Sequence, residues 1–263
     1  MSAAFQFITF IGAVFTFGYL LGCLEKISVH LLFRTFGKRG SLFTAWIGTL
    51  VHEFGHVFMC VLFRHRIRDV QWFPARSGVN YLGYVKHSYS QRSLYQRMGN
   101  FFIGIGPFLS SIGALILLMY FCVPDSYQLF AGYITHHVRP AQLNIEMFTS
   151  SLFSAVVLFE SLFTIENALN PLFWLFLFLA LCISTHIALS KEDIRGAVSG
   201  MSALFVFLFC LHAFSSIFNI DIIGTASYYH AYIIAFASSA LLFSFITLCI
   251  CFVLYILKNQ FNT

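Results

Sequence analysis

The stretch Gly48-Thr-Leu-Val-His-Glu-Phe-Gly-His-Val-Phe-Met-Cys60 decides how the chain is read. It carries His52, Glu53 and His56 in H-E-x-x-H spacing. On a helix the two histidines lie four residues apart on one face, where both imidazoles can reach one metal ion. Glu53 sits beside them, placed to hold a water. From Leu42 to Phe63 the surrounding residues are almost all apolar, so the motif lies in a segment long enough to cross a bilayer. Ionisable groups at that depth are costly and mark function.

Composition agrees with that setting. The chain has 263 residues, 59% hydrophobic and 10% charged, with a mean hydropathy of +0.82. These values exclude a soluble domain and predict an all-α polytopic membrane protein embedded in the lipid bilayer. Apolar runs along the whole length predict one membrane domain, residues 1–263, with a catalytic core over about 42–200 and C-terminal helices over about 201–257. The net charge of +5 does not point to nucleic acid, because most basic residues lie between apolar runs, where they meet headgroups. The seven cysteines form no C-x-x-C pair, so neither a disulfide framework nor a thiolate metal site is expected.

Working outward from the motif, residues 1–24 read as a first span, without the basic start of a secretory signal. Residues 25–41 mix Lys26, Arg34, Lys38 and Arg39 with Leu31, Leu32 and Phe33, which suits an interfacial segment. After the motif, Val70–Phe73 and Tyr81–Val85 read as two strands joined through Pro74 and Ser77-Gly-Val-Asn80, a small β-hairpin on the cytoplasmic side. Further spans are expected from Gly99 to Cys122, from Leu172 to Leu189, over Met201–Phe218 and over Tyr232–Leu257, about six in all. Residues 123–146 read as a polar loop. Placing both termini in the cytoplasm puts Arg64, Arg66, Arg68, Arg76, Lys86, Arg92, Arg97, Lys191, Arg195 and Lys258 inside. Lys26, Arg34, Lys38, Arg39 and Arg139 are then outside, so ten of the 15 basic residues are cytoplasmic, and this orientation is favoured.

Two histidines leave a hydrolytic zinc ion one protein ligand short. Asp193 and His186 are the candidates near the end of the fourth span, with Glu192 behind them. Asp193 is the expected ligand. It has a second reading, since Ser190-Lys-Glu-Asp193 is an S-x-x-D pattern that caps a following helix.

These features, in this order, resemble the site-2-protease-like intramembrane zinc metalloproteases. The resemblance rests on His52-Glu53-Phe-Gly-His56 within a span, a β-rich stretch directly after it, Gly106-Pro107 in the next span, and a later acidic residue, Asp193. It covers about residues 42–200. Where that family commonly shows Leu-Asp-Gly, this chain has Asp193-Ile-Arg-Gly196, which places it on a divergent branch. The resemblance implies one zinc ion held by His52, His56 and Asp193, with Glu53 as general base. It also implies a membrane protein or peptide as substrate, either a single-span protein or a signal-peptide remnant. A bacterial plasma membrane is expected as the location from the small size of the chain alone.

A substrate helix must unwind before its peptide bonds can be attacked. Tyr81, Gly83 and Val85 offer strand backbone that can hold an extended segment, and Asn100 is expected to line a water route. Two other functions share these residues. One is a metal ion transporter using the same three motif side chains, and the other is an inactive membrane scaffold or chaperone.

Overall fold

The computed structural model describes residues 3–73, 83–137, 145–218 and 222–261. In chain order the elements are α1 (Ala3–Leu62), β1 (Arg66–Gln71), β2 (Tyr84–Ser88), α2 (Leu94–Cys122), α3 (Pro124–His137), α4 (Ile145–Leu162), α5 (Ile165–Leu169), α6 (Pro171–Thr185), α7 (Lys191–Phe218) and α8 (Ile222–Phe261). The chain is an all-α polytopic membrane protein with one small antiparallel hairpin. Phe17 and Leu21 of α1, Phe101 and Phe108 of α2, Phe176 of α6 and Phe236 of α8 share one buried apolar cluster. Large apolar side chains such as Tyr19, Trp46, Phe121 and Phe209 face outward, an arrangement tolerated over so much surface only where lipid is the solvent.

Five helical segments among the described residues are long and apolar enough to span a membrane: Ile11–Gly37, Ala45–Leu62, Leu94–Cys122, Lys191–Leu211 and Tyr232–Gln260. The expected span over Leu172–Leu189 is instead α6, a helix of 15 residues. At 1.5 Å per residue it is roughly 22 Å long, short of a hydrocarbon core of about 30 Å. Its start is set by local chemistry: Pro171 occupies the first turn and the Asn170 side chain accepts the Leu172 N–H at 2.9 Å.

α1 joins what the sequence suggested as a span, an interfacial segment and a second span. Residues 25–36 continue the first span, with Ser28, Leu32 and Thr35 buried, so the interfacial reading of this part is corrected. Its basic residues fall at positions where helical spacing leaves the apolar face intact. The break comes at Gly37, whose φ of +66° and ψ of −157° are open to glycine and strained for other residues. Glu25 and Gly48 both touch His186. On an unbroken helix they would be about 35 Å apart, so the chain doubles back at Gly37.

Residues 124–137, expected as part of a loop, form α3, which buries Ser126, Phe130 and Ile134 on one side. That spacing of four is a helical stripe too sparse to stand out beside Asp125, His136 and His137. The hairpin strands are displaced from the expected Val70–Phe73 and Tyr81–Val85. β1 begins four residues earlier, at Arg66, and β2 runs on to Ser88. Val70 pairs with Val85 and Gln71 with Tyr84, with a bulge between Ile67 and Asp69. Most of the added strand residues are polar or charged, and their pairing is supported by contacts between side chains rather than by β-propensity: Tyr84 Oη donates to Asp69 at 2.7 Å and Arg68 Nε to Ser88 at 2.9 Å. The expected turn, with Tyr81, lies in 74–82, outside the described residues.

The hairpin is clasped to the bundle by two histidines. His65, just beyond α1, sends Nε2–H to the Gln96 carbonyl at 2.7 Å. Its Nδ1 is therefore the acceptor in the neutral ring, and His87 of β2 donates Nδ1–H to it at 3.0 Å. Gln96 of α2 also caps the end of α1 by donating to the Arg64 carbonyl at 2.7 Å. Burial lowers the pKa of His65 from its ordinary value. Burial, then the charges of His65 and His56, bring His87 down to about 4.

Both shifts favour the neutral form in the fold. As pH falls from 6.5 towards about 4, the unfolded chain takes up protons that the folded chain refuses, so stability declines across that window. The unfolding temperature of the detergent-solubilised protein is expected to drop on acidification through it. His87→Gln keeps an N–H for His65 and should flatten the profile. An equally steep profile in the variant would place the acid limit elsewhere.

Candidate metal centre

His52, Glu53 and His56 lie in the second half of α1, Asp193 in the first turn of α7. Their proximity depends on a close approach of three helices. A Cβ on Gly55 would lie 2.5 Å from the Gly106 carbonyl, and one on Gly106 would lie 2.7 Å from the Gly55 carbonyl. α1 and α2 therefore touch backbone to backbone, as small residues permit in lipid. Gly104 gives α2 the same approach to α7 at the Asp193 carbonyl.

His52 Nε2 lies 3.5 Å from Asp193 Oδ2, and His56 Nε2 lies 3.0 Å from Asp193 Oδ1. The donor atoms of these three residues all fall within 4.8 Å of one another, and the group can hold a metal ion. Ligand atoms around a tetrahedral zinc ion lie roughly 3.3 Å apart, a spacing the cluster can meet with small adjustments.

The outward nitrogens show why a cation suits the site. His56 Nδ1–H donates to the Ile103 carbonyl at 2.9 Å, and His52 Nδ1–H to the His186 carbonyl at 3.2 Å. A carbonyl only accepts, so both Nδ1 atoms carry hydrogen. In a neutral imidazole Nε2 is then a bare lone pair. Two such lone pairs facing a buried carboxylate repel it, unless both rings are protonated or a cation stands between. A single divalent ion meets the need, and fixing the far nitrogen on a carbonyl is how metal-binding histidines are oriented.

The two carbonyls are free for local reasons. Within a helix the Ile103 carbonyl would accept the N–H four residues on, but that residue is Pro107, which has none. His186 is the C-cap of α6, where carbonyls have lost their helical partners. The Gly106-Pro107 pair thus does two things: glycine admits α1, and proline releases the acceptor for His56.

Asp193 answers to both of its sequence readings. Its Oδ2 accepts the Ser190 N–H at 2.7 Å and its own N–H donates to Ser190 Oγ at 3.1 Å, a reciprocal cap. The carboxylate still presents both oxygens to the histidines. His186, the alternative ligand, is turned away: its Nδ1 pairs with Glu25 at 3.2 Å. Its part is played by its carbonyl.

Glu53 is 5% exposed, and its Oε2 is buried without a hydrogen-bond partner among the described residues. Its carboxyl is within electrostatic reach of His52, His56 and Asp193. A Cβ on Gly83 would lie 2.7 Å from Glu53 Oε1, so the entry to β2 closes over the motif. Val85 sits in β2 opposite Val70. Asn100 is buried where α2 meets Gly200 of α7, about 10 Å along α7 from Asp193. It does not join the cluster.

Sequence reasoning missed Glu25 and the two acceptor carbonyls. Pro107 was the available signal, four residues after Ile103. Comparison with protein-family models, curated proteins and solved structures returned no match.

Restoring an N–H at position 107 tests the released carbonyl. In Pro107→Ala the helix reclaims Ile103 and His56 loses its orienting partner. Metal affinity should fall about tenfold, at the lower end for such partners, in a chelator-competition titration of the purified protein. Unchanged affinity would show that the His56–Ile103 bond does not support the site.

Proposed function

We propose that the chain is an intramembrane zinc metalloprotease that hydrolyses a peptide bond of a transmembrane or signal-peptide-derived substrate. The observation that carries this reading is the buried Glu53 oxygen, without a partner among the described residues, beside a cluster of two histidines and an aspartate. A purely structural cluster has no use for a fourth ionisable group left unsatisfied in a membrane span. A metal transport site gains nothing from it either, whereas hydrolysis needs a base next to the metal.

Zinc, when bound by His52, His56 and Asp193, supplies Lewis acidity to a water and to the scissile carbonyl. The chain's own residues do the rest. Glu53 Oε2 accepts the proton of the attacking water and returns it to the leaving amine. The Ile103 and His186 carbonyls hold the imidazoles so that both Nε2 atoms converge. The Ser190 cap fixes the carboxylate.

Support for a membrane-borne substrate comes from the surroundings. A groove of about 700 Å³ runs between α1 and α2, lined by Leu50, Phe54, Phe58, Leu109, Leu117 and Trp72. Its lining includes Val51, which directly precedes the motif, and Gly55, which lies within it. Tyr81, Gly83 and Val85 are assigned to holding an extended segment of substrate, and Asn100 to the water path. Among the described residues the sheet has two strands, each with one unpaired edge, as strand addition requires. Seven basic residues between Arg64 and Arg97 support a cytoplasmic side for the hairpin.

The test joins metal content to turnover. The purified wild type should hold about one zinc per chain, His52→Ala and Asp193→Ala should hold none, and Glu53→Gln should keep zinc. Against a panel of single-span membrane proteins reconstituted with it, the wild type should cleave and Glu53→Gln should lose at least about 1,000-fold in rate. Zinc retained with cleavage unaffected in Glu53→Gln would remove the protease reading.

A further inference from the structure

Glu25 lies near the middle of the candidate span Ile11–Gly37, outside the part of the chain that carries the motif residues. A carboxylate at that depth calls for a partner and a purpose. Its partner is His186, whose Nδ1 is 3.2 Å from Glu25 Oε1. The His186 side chain is 4% exposed, and its Nε2 finds no partner among the described residues. Glu25 is thus the polar tether of that ring.

The ring is also confined sterically. A Cβ on Gly48 would come within 2.6 Å of His186 Cβ and Cδ2, so the imidazole lies against bare backbone one turn before His52. On the other side, Ala188 and Leu189 pack on Gly22 and Gly18 of the first span. His186 ends α6, and its backbone is held by one bond from its own N–H to Ile183. Its carbonyl, pointing onward, receives His52 Nδ1–H.

From this geometry we infer that Glu25 is a positioning residue of the metal centre, acting through His186. By fixing the His186 ring it fixes the plane of the following peptide, and with it the carbonyl that orients His52. The first span then belongs to the metal site and is more than a membrane anchor. The inference rests on the metal-binding reading of the cluster and extends it to a residue that touches none of the ligands.

The test uses full-length chain in detergent, stripped of metal and titrated with Co2+, whose visible bands report ligand geometry. Two variants are compared: Glu25→Gln, which keeps an acceptor for His186 Nδ1–H, and Glu25→Leu, which does not. The wild type should show saturable Co2+ bands. Glu25→Leu should bind about three- to tenfold more weakly, less than for a direct partner of a ligand, with altered bands. Glu25→Gln should stay close to wild type. Wild-type affinity and bands in Glu25→Leu would overturn the inference even if its melting temperature fell, because a merely structural pair moves stability alone. A Gln variant no better than Leu would overturn it too. Failure of the wild type to bind Co2+ would remove the metal centre itself, and that result is read on a different sample.

Discussion

Everything in this molecule turns on finding acceptors for two imidazole N–H groups inside a helical membrane bundle. In lipid, backbone carbonyls are committed to their own helices, and an unsatisfied polar group costs several kcal/mol. A histidine that must present one nitrogen to a metal therefore needs a helix that has given up a carbonyl. The chain supplies two, by different means. Proline at 107 withdraws the N–H that Ile103 would have met. The end of α6 leaves His186 open. The faults in the helices are thus as necessary to the site as the ligands, and each lies beside a glycine that lets α1 come near enough to use it.

This constraint explains which parts could be read from the sequence. Apolar runs announce themselves by length, and H-E-x-x-H by spacing, so the bundle and the α1 face of the site were legible. The hairpin was legible in kind but displaced, since the pairings that extend it, Tyr84 with Asp69 and Arg68 with Ser88, are made by polar residues that propensity discounts. The turn at Gly37 was hidden because basic residues around it suit an interfacial segment equally well. α3 was hidden by its polar ends. The short α6 read as a span because the apolar run continues past Thr185, through Ile187 to Leu189, although the helix does not.

The acceptors for the histidines were least visible. A backbone carbonyl has no letter of its own, and its availability depends on a residue four positions away or on where a helix stops. Glu25 was passed over for a related reason. It stands beside Lys26 in a stretch dotted with charge, and nothing local distinguishes a carboxylate facing the bundle from one at the interface. Only the fold-back at Gly37, which brings the first span to the end of α6, gives it a role.

Asp193 shows why the two readings of an S-x-x-D box need not compete. A carboxylate has two oxygens and several lone pairs, so one can take the Ser190 N–H while both face the imidazoles. The first turn of α7 also favours a negative charge there, through the partial positive charge of a helix start. Capping therefore serves the ligand. It fixes the position of the carboxylate, and it closes the break between α6 and α7 from one side, while Glu25 and His186 close it from the other. That break is five residues long, from His186 to Ser190. It delivers one acceptor to His52 and one carboxylate to both histidines, and a shift at either end would be felt by the same two nitrogens.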